Sequence, residues 1–232
     1  MPPVFLLHGL GSDSQSTWID PGFAQGLVDA GREVFAVDAR GHGLSGKPHD
    51  SEFYGETRMS RDLVELWDSL ELDQVDLLGY SMGGVVALIT AASDRRIRRL
   101  VLGGIGRYQL EYDGGPLPHF DSAGFAAALS AADPTQITDP KLREYRSNVD
   151  ASDIDRLALA AHLRVFHTDP FDFAQITAQT LVIAGGDDPW SPDPDLLANA
   201  IPNGQSVTVP GEHSGTQTTA GFTNEVTAFL NK

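Results

Sequence analysis

Short apolar runs, too brief for helices, punctuate the first hundred residues. Val4-Phe5-Leu6-Leu7 is the first and ends at the turn His8-Gly9-Leu10-Gly11. Such a run reads as a buried strand. Asp20-Pro21 predicts a helix start, with Asp20 as N-cap and Pro21 in the first turn, and Gly31 predicts its stop. Glu33 to Asp38 reads as a second strand. Met59, Leu63, Leu66, Trp67 and Leu70 recur at i, i+4, i+7, i+8 and i+11, one face of an amphipathic helix. Val75-Asp76-Leu77-Leu78 is the next strand, Gly84 to Ile89 opens an apolar helix, and Leu100-Val101-Leu102 is a further strand. Alternating strands and helices of this kind predict a parallel sheet covered on both faces.

The rhythm breaks after Gly104. Gly114-Gly115-Pro116-Leu117-Pro118 interrupts the chain, and three helical stretches follow with no strand between them: Ala123 to Ala131, Lys141 to Ser147 and Ser152 to Phe166. Strand-and-helix alternation resumes with Thr180-Leu181-Val182-Ile183-Ala184, a helix from about 195 to 200, a strand from Ser206 to Val209 and a last helix from about 221 to 230. The expected fold class is therefore α/β, a doubly wound and mostly parallel sheet with a small all-helical insertion. Residues 1–105 and 173–232 form the expected core and 106–172 the insertion.

Composition narrows the function. The 232 residues suit one sizeable domain. Thirty-two acidic against 16 basic residues leave a net charge of −16, and only Lys47, Lys141 and Lys232 are lysine. That field repels nucleic acid and anionic membranes. Either a saline setting or compositional drift accounts for it. Cysteine is absent, which removes disulfides and thiolate chemistry. No apolar stretch is long enough to span a bilayer, and the start lacks a basic leader pattern, so a cytoplasmic protein is expected.

Gly79-Tyr80-Ser81-Met82-Gly83 sits between the Val75 strand and the Gly84 helix. A tight strand-to-helix turn strains its central residue and lifts the serine Oγ above the sheet. Serine needs a base, and the base an orienting group. Downstream, Gly185-Gly186-Asp187-Asp188-Pro189 follows one apolar strand, and Pro210-Gly211-Glu212-His213 follows another. His213 is the histidine in the right segment.

These pieces, together with Trp18, Asp38-Ala39-Arg40-Gly41-His42-Gly43-Leu44-Ser45 and Gly185 to Pro192, resemble the α/β-hydrolase superfamily, in its branch of small bacterial esterase-like and lactonase-like enzymes. The resemblance implies a Ser81–His213–Asp triad, with Asp188 favoured over Asp187 because Gly-x-x-Asp with a following proline is the family spacing. It implies oxyanion N–H donors at Met82 and Leu10, and a lid formed by the helical insertion. It also implies that the antiparallel hairpin of relatives is missing before the first strand, leaving about six strands and an open sheet edge. The implied function is hydrolysis of a small carboxylic ester or related acyl compound, without cofactor or metal, by a monomer or homodimer. Lactonase, thioesterase, carbon–carbon bond hydrolase and haloperoxidase-like activities remain open, as does a ligand sensor with little turnover. Val85 stands where menaquinone-pathway lyases of the family carry arginine.

Tyr80, Tyr108, Phe120, Phe166 and Trp190 are candidates for the substrate pocket, with Tyr112 and Phe125 beside them. His119, His162 and His167 are further candidates for facing substrate. His8 and His42 read as packed turn residues, and His49 as a loop residue. Gly41 to Lys47 fits G-x-x-x-x-G-K, but Pro48 follows where a nucleotide loop needs Ser or Thr, so nucleotide binding is not expected.

Overall fold

The computed structural model describes residues 1–115, 117 and 119–232; Pro116 and Pro118 of the predicted break lie outside the described residues. Six strands make one sheet: β1 (Val4–Leu7), β2 (Val34–Val37), β3 (Val75–Tyr80), β4 (Ile97–Gly103), β5 (Gln179–Gly185) and β6 (Gly204–Val209). Their spatial order is β2-β1-β3-β4-β5-β6. Among the described residues all five pairings are parallel, in keeping with the expected doubly wound, mostly parallel sheet. Among the described residues β2 has β1 as its only strand neighbour.

The period of two divides each strand between two cores. Phe5, Leu7, Val75, Leu77, Leu100, Leu102 and Val182 face one apolar cluster. That cluster includes residues of α2 (Glu56–Ser69), α3 (Met82–Ser93) and, further along the chain, Leu197 and Ala198. Val4, Leu6, Leu78, Tyr80, Val101, Leu181 and Ile183 face the other, with Phe23 and Leu27 of α1 (Phe23–Asp29) and Phe222, Val226 and Phe229 of the last helix. Burying each such side chain is worth roughly 1.5–3 kcal/mol. At the strand starts, buried Asp76 accepts from Arg32 and from Arg98 (Nε to Oδ1, 2.9 Å), and both guanidinium groups also reach the Leu230 carbonyl. The network pins the C-terminal helix under the sheet.

Between β4 and β5 run α4 (Ser122–Ser130), α5 (Pro140–Asp150) and α6 (Arg156–Leu163). They share a third apolar cluster around Leu129, Val149, Leu159 and Leu163. α6 is shorter than the predicted Ser152 to Phe166. Asp155 caps it by accepting from the Leu157 and Ala158 N–H groups, so the chain before it cannot be helical. α7 (Pro194–Ala200) and α8 (Ala220–Leu230) complete the chain.

One predicted boundary is displaced. Asp20 does not cap α1; its N–H donates to the Gln15 carbonyl and closes a short wide turn over Gln15–Ile19, anchored by fully buried Trp18. Gly22, at φ 81°, then turns the chain into α1.

Candidate active site

Ser81 stands between β3 and α3 at φ 55° and ψ −116°. L-residues rarely adopt that conformation, and the surroundings must hold it. Two glycines permit it. A Cβ on Gly79 would lie 2.0 Å from the Gly83 carbonyl oxygen, and one on Gly83 would lie 2.6 Å from that of Leu7. The Ser81 N–H donates to the Gly103 carbonyl at 2.8 Å, tying the turn to β4.

The two downstream loops converge on this serine. His213 Nε2 is 2.9 Å from Ser81 Oγ, and His213 Nδ1 is 2.8 Å from Asp188 Oδ2. Burial acts to raise the Asp188 carboxyl. Hydrogen bonds from His213 and Ser191, the nearby imidazole charge and the Trp190 N–H outweigh it, so the group sits below the usual carboxylate range. An ionised carboxylate can only accept, so His213 Nδ1–H donates to it. Nε2 is then free to accept from the serine hydroxyl. Ser191 Oγ and the Trp190 N–H donate to the same carboxylate at 2.5 and 2.9 Å. Asp187 is exposed, its N–H spent on the Gly211 carbonyl.

Among the described residues, the N–H groups of Leu10 and Met82 find no hydrogen-bond acceptor. Met82 begins α3, where orphan N–H groups and the helix dipole favour negative charge. The Gly11 N–H donates to His42 Nε2 at 3.2 Å, and the Ala39 N–H to His8 Nε2 at 3.1 Å. Each ring lies beside a carbonyl through Nδ1 and is therefore held as the neutral Nδ1–H tautomer. Burial lowers both; with His8 and His162 nearby, His42 falls to about 3. They brace the Leu10 turn.

Above Ser81 lies a cavity of about 290 Å³. Phe120, Phe125, Phe166 and Trp190 form its aromatic wall, with Leu10, Met82 and Val85 opposite. Gln109, Tyr112, His119 and Tyr145 bring polar atoms to it, and no Lys, Arg, Asp or Glu is among the described lining residues. Two predicted pocket residues are placed elsewhere. Tyr80 points to the other face of the sheet, as strand alternation requires, and its hydroxyl donates to the His213 carbonyl at 2.8 Å. Tyr108 stands behind the lining, stacked on His119 at 3.9 Å between ring centroids.

His162 is fully buried, 2.9 Å from Glu56 of α2, and the His167 N–H donates to the same carboxylate at 2.8 Å. His49 pairs with Asp155 at 2.9 Å. Lys47 folds back onto the Gly43 and Ser45 carbonyls of its own loop. Tyr145 is, with Ile105, Gln109 and Leu117, among the lining residues that sequence reasoning missed. Its signal was the spacing of Leu142, Tyr145, Arg146 and Val149, the inward face of α5.

A buried carboxylate, an imidazole and a serine thus stand in line on a doubly wound sheet, beside two N–H groups without an acceptor among the described residues. The chain belongs to the alpha/beta hydrolase fold family, whose sequence profile matches residues 2–136, more than half of its length. It is 35% identical over 133 residues to an sn-1-specific diacylglycerol lipase of Xenopus laevis, covering 56% of this chain and 38% of that protein. It is 38% identical over 103 residues to a 2-hydroxy-6-oxo-2,4-heptadienoate hydrolase of Pseudomonas putida, covering 44% and 37%. The matched segments thus span less than two fifths of these curated relatives. Among solved structures, a hydrolase from Pseudomonas aeruginosa superposes with a TM-score of 0.72 at 27% identity, covering all of this chain and 90% of that one. An enol-lactonase from Burkholderia xenovorans superposes with a TM-score of 0.77 at 23% identity, covering 100% and 92%, a likeness of fold.

Proposed function

We propose that this protein is a serine hydrolase that cleaves a small, uncharged carboxylic ester through an acyl-enzyme. The observation that carries the reading is the unbroken line from Asp188 Oδ2 through His213 to Ser81 Oγ, 2.8 and 2.9 Å. Ser81 Oγ attacks the carbonyl carbon while His213 Nε2 takes its proton. The oxyanion of the tetrahedral intermediate accepts from the Leu10 and Met82 N–H groups. Collapse expels the alcohol, which receives the proton from His213. A water, deprotonated by His213, repeats the sequence and frees the acid. Asp188 holds the imidazole tautomer and stabilises the imidazolium. No step draws on a cofactor.

The lining favours a neutral substrate, since a carboxylate-bearing one would lack a cationic partner among the described residues. A volume of about 290 Å³ favours a short or medium acyl group. In this reading residues 106–172 act as the lid and supply Phe120, Phe125 and Phe166 of the aromatic wall. The enzyme is cytoplasmic, monomeric or homodimeric, with no nucleic-acid or membrane partner.

The test is hydrolysis of p-nitrophenyl esters of graded acyl length, wild type beside Ser81→Ala, with a fluorophosphonate label located by mass spectrometry. The expected outcome is label on Ser81 and a loss of at least ~10⁴-fold in the variant. Near-normal turnover by Ser81→Ala overturns the mechanism. Label on Ser81 without turnover of any ester replaces the esterase by a ligand sensor.

A further inference from the structure

The cavity over Ser81 has a polar group that the acyl-transfer mechanism does not use. Tyr145 rises from α5, and its ring packs edge-on against Phe125 with 4.7 Å between centroids. A Cβ on Gly11 would lie 3.8 Å from its hydroxyl, while one on Gly9 would lie 3.9 Å from Ser81 Oγ. The Gly9–Gly11 turn therefore touches Ser81 at one end and Tyr145 at the other. Both residues line the same small cavity.

Three other tyrosine hydroxyls around the site have protein partners, while Tyr108, which has none among the described residues, stands behind the lining. Tyr80 donates to the His213 carbonyl, Tyr54 to the Pro48 carbonyl, and Tyr112 accepts from Gln109. Among the described residues the Tyr145 hydroxyl makes no hydrogen bond, although the residue lines the cavity beside Phe125. Burial pushes its phenol up to about 12, so it is a neutral donor at ordinary pH. A donor without a protein partner, on a half-buried residue that lines the cavity, is available to an acceptor atom of a ligand that enters it.

The side of the substrate follows from the walls. The leaving alcohol must depart beside His213, which protonates it. A Cβ on Gly104 would lie 3.3 Å from His213 Cε1, and the Trp190 ring stands 6.5 Å from that imidazole. Tyr145 instead adjoins Gly11 and Phe125, so it serves the acyl portion.

We propose that Tyr145 is a specificity-determining residue whose hydroxyl donates a hydrogen bond to an oxygen on the acyl chain. The preferred substrates are short esters of alkoxy-, hydroxy- or oxo-substituted acids rather than plain alkanoates. The proposal rests on the acyl-transfer reading above.

Two isosteric pairs test it: p-nitrophenyl methoxyacetate against butyrate, and 3-methoxypropionate against pentanoate, each rate corrected for its uncatalysed hydrolysis. Tyr145→Phe keeps the ring and removes only the hydroxyl. It is expected to lower kcat/KM for a methoxy ester about 3–10-fold, chiefly through KM, and to leave the alkanoates within about twofold. Equal losses on all four esters, or no loss on either methoxy ester, overturn it. A second readout needs no turnover. Ser81→Ala protein should bind N-benzyl methoxyacetamide about 3–10-fold more tightly than N-benzyl butyramide by calorimetry, and Tyr145→Phe in that background should erase the preference. If wild type cleaves none of the four esters, the acyl-transfer reading falls while the amide pair still decides the role of Tyr145.

Discussion

The turn that carries Ser81 and the helical stretch above it are held by different physics. The turn is locked by backbone against backbone: Gly79 meets the Gly83 carbonyl and Gly83 meets that of Leu7, so neither position admits a side chain. The helices α4 to α6 rest on a small apolar cluster and a few side-chain anchors, chief among them Glu56, which accepts from His162 and from the His167 N–H. A serine aimed at a reacting carbon tolerates little displacement. A wall that selects substrates can vary in shape without harm to the chemistry. Precision and adaptability are thus assigned to separate parts of one chain.

The sharpest way to probe the rigid half is the carboxylate behind His213. Asp188→Asn keeps the shape but lets the imidazole adopt the wrong tautomer, and kcat should fall ~10³–10⁴-fold. Asp187→Asn, on an exposed side chain of the same turn, should change kcat less than about twofold. The reverse ranking in steady-state kinetics would reassign the acid. For the adaptable half, Glu56→Ala strips one buried and one half-buried donor of their acceptor and should cost about 1–3 kcal/mol in urea unfolding. Hydrogen exchange should rise mainly over residues 140–167, with β3 and α3 unchanged; uniform loosening would mean that the two regions are one cooperative unit.

Acid should bear on the seam between them. His8 and His42 have folded-state values below 6.5, so the unfolded chain takes up protons first. Their contribution is complete above 6.5 and is lost as pH falls from 6.5 toward about 3 for His42. The slope is about 1.4 kcal/mol per pH unit for each histidine titrating only in the unfolded chain. Asp188, also lowered, adds its own loss only below 3.8, as pH falls through its folded value. Urea midpoints at pH 7, 5.5 and 4.5 should decline through this window. His42→Gln should flatten the decline, and an unchanged slope would remove His42 from the account.

Legibility followed the range of the interactions. Ser81 could be read from five consecutive residues because its strained turn, its glycines and its flanking strand and helix are all local. The doubly wound, mostly parallel sheet was legible in the alternating strand and helix patterns, and the six strands agree with the number the resemblance implied. The start of α1 was misread because Asp20-Pro21 is a helix-start signal that burial of Trp18 and the turn at Gly22 override. Tyr80 was assigned to the pocket because it neighbours Ser81 in the chain, whereas strand alternation sends its side chain to the opposite face.

The sequence by itself determined the layered α/β architecture and the tight turn at Ser81, since local backbone preference and hydrophobic period encode these, while the order serine, acid, histidine came from the resemblance to α/β-hydrolases. Only the tertiary structure decided that Asp188 rather than Asp187 meets His213, that Glu56 anchors the helical stretch, and that Tyr145 and Ser81 line one cavity. Each joins residues far apart in the chain. Contacts of that kind depend on where whole elements dock, which no short stretch of residues specifies.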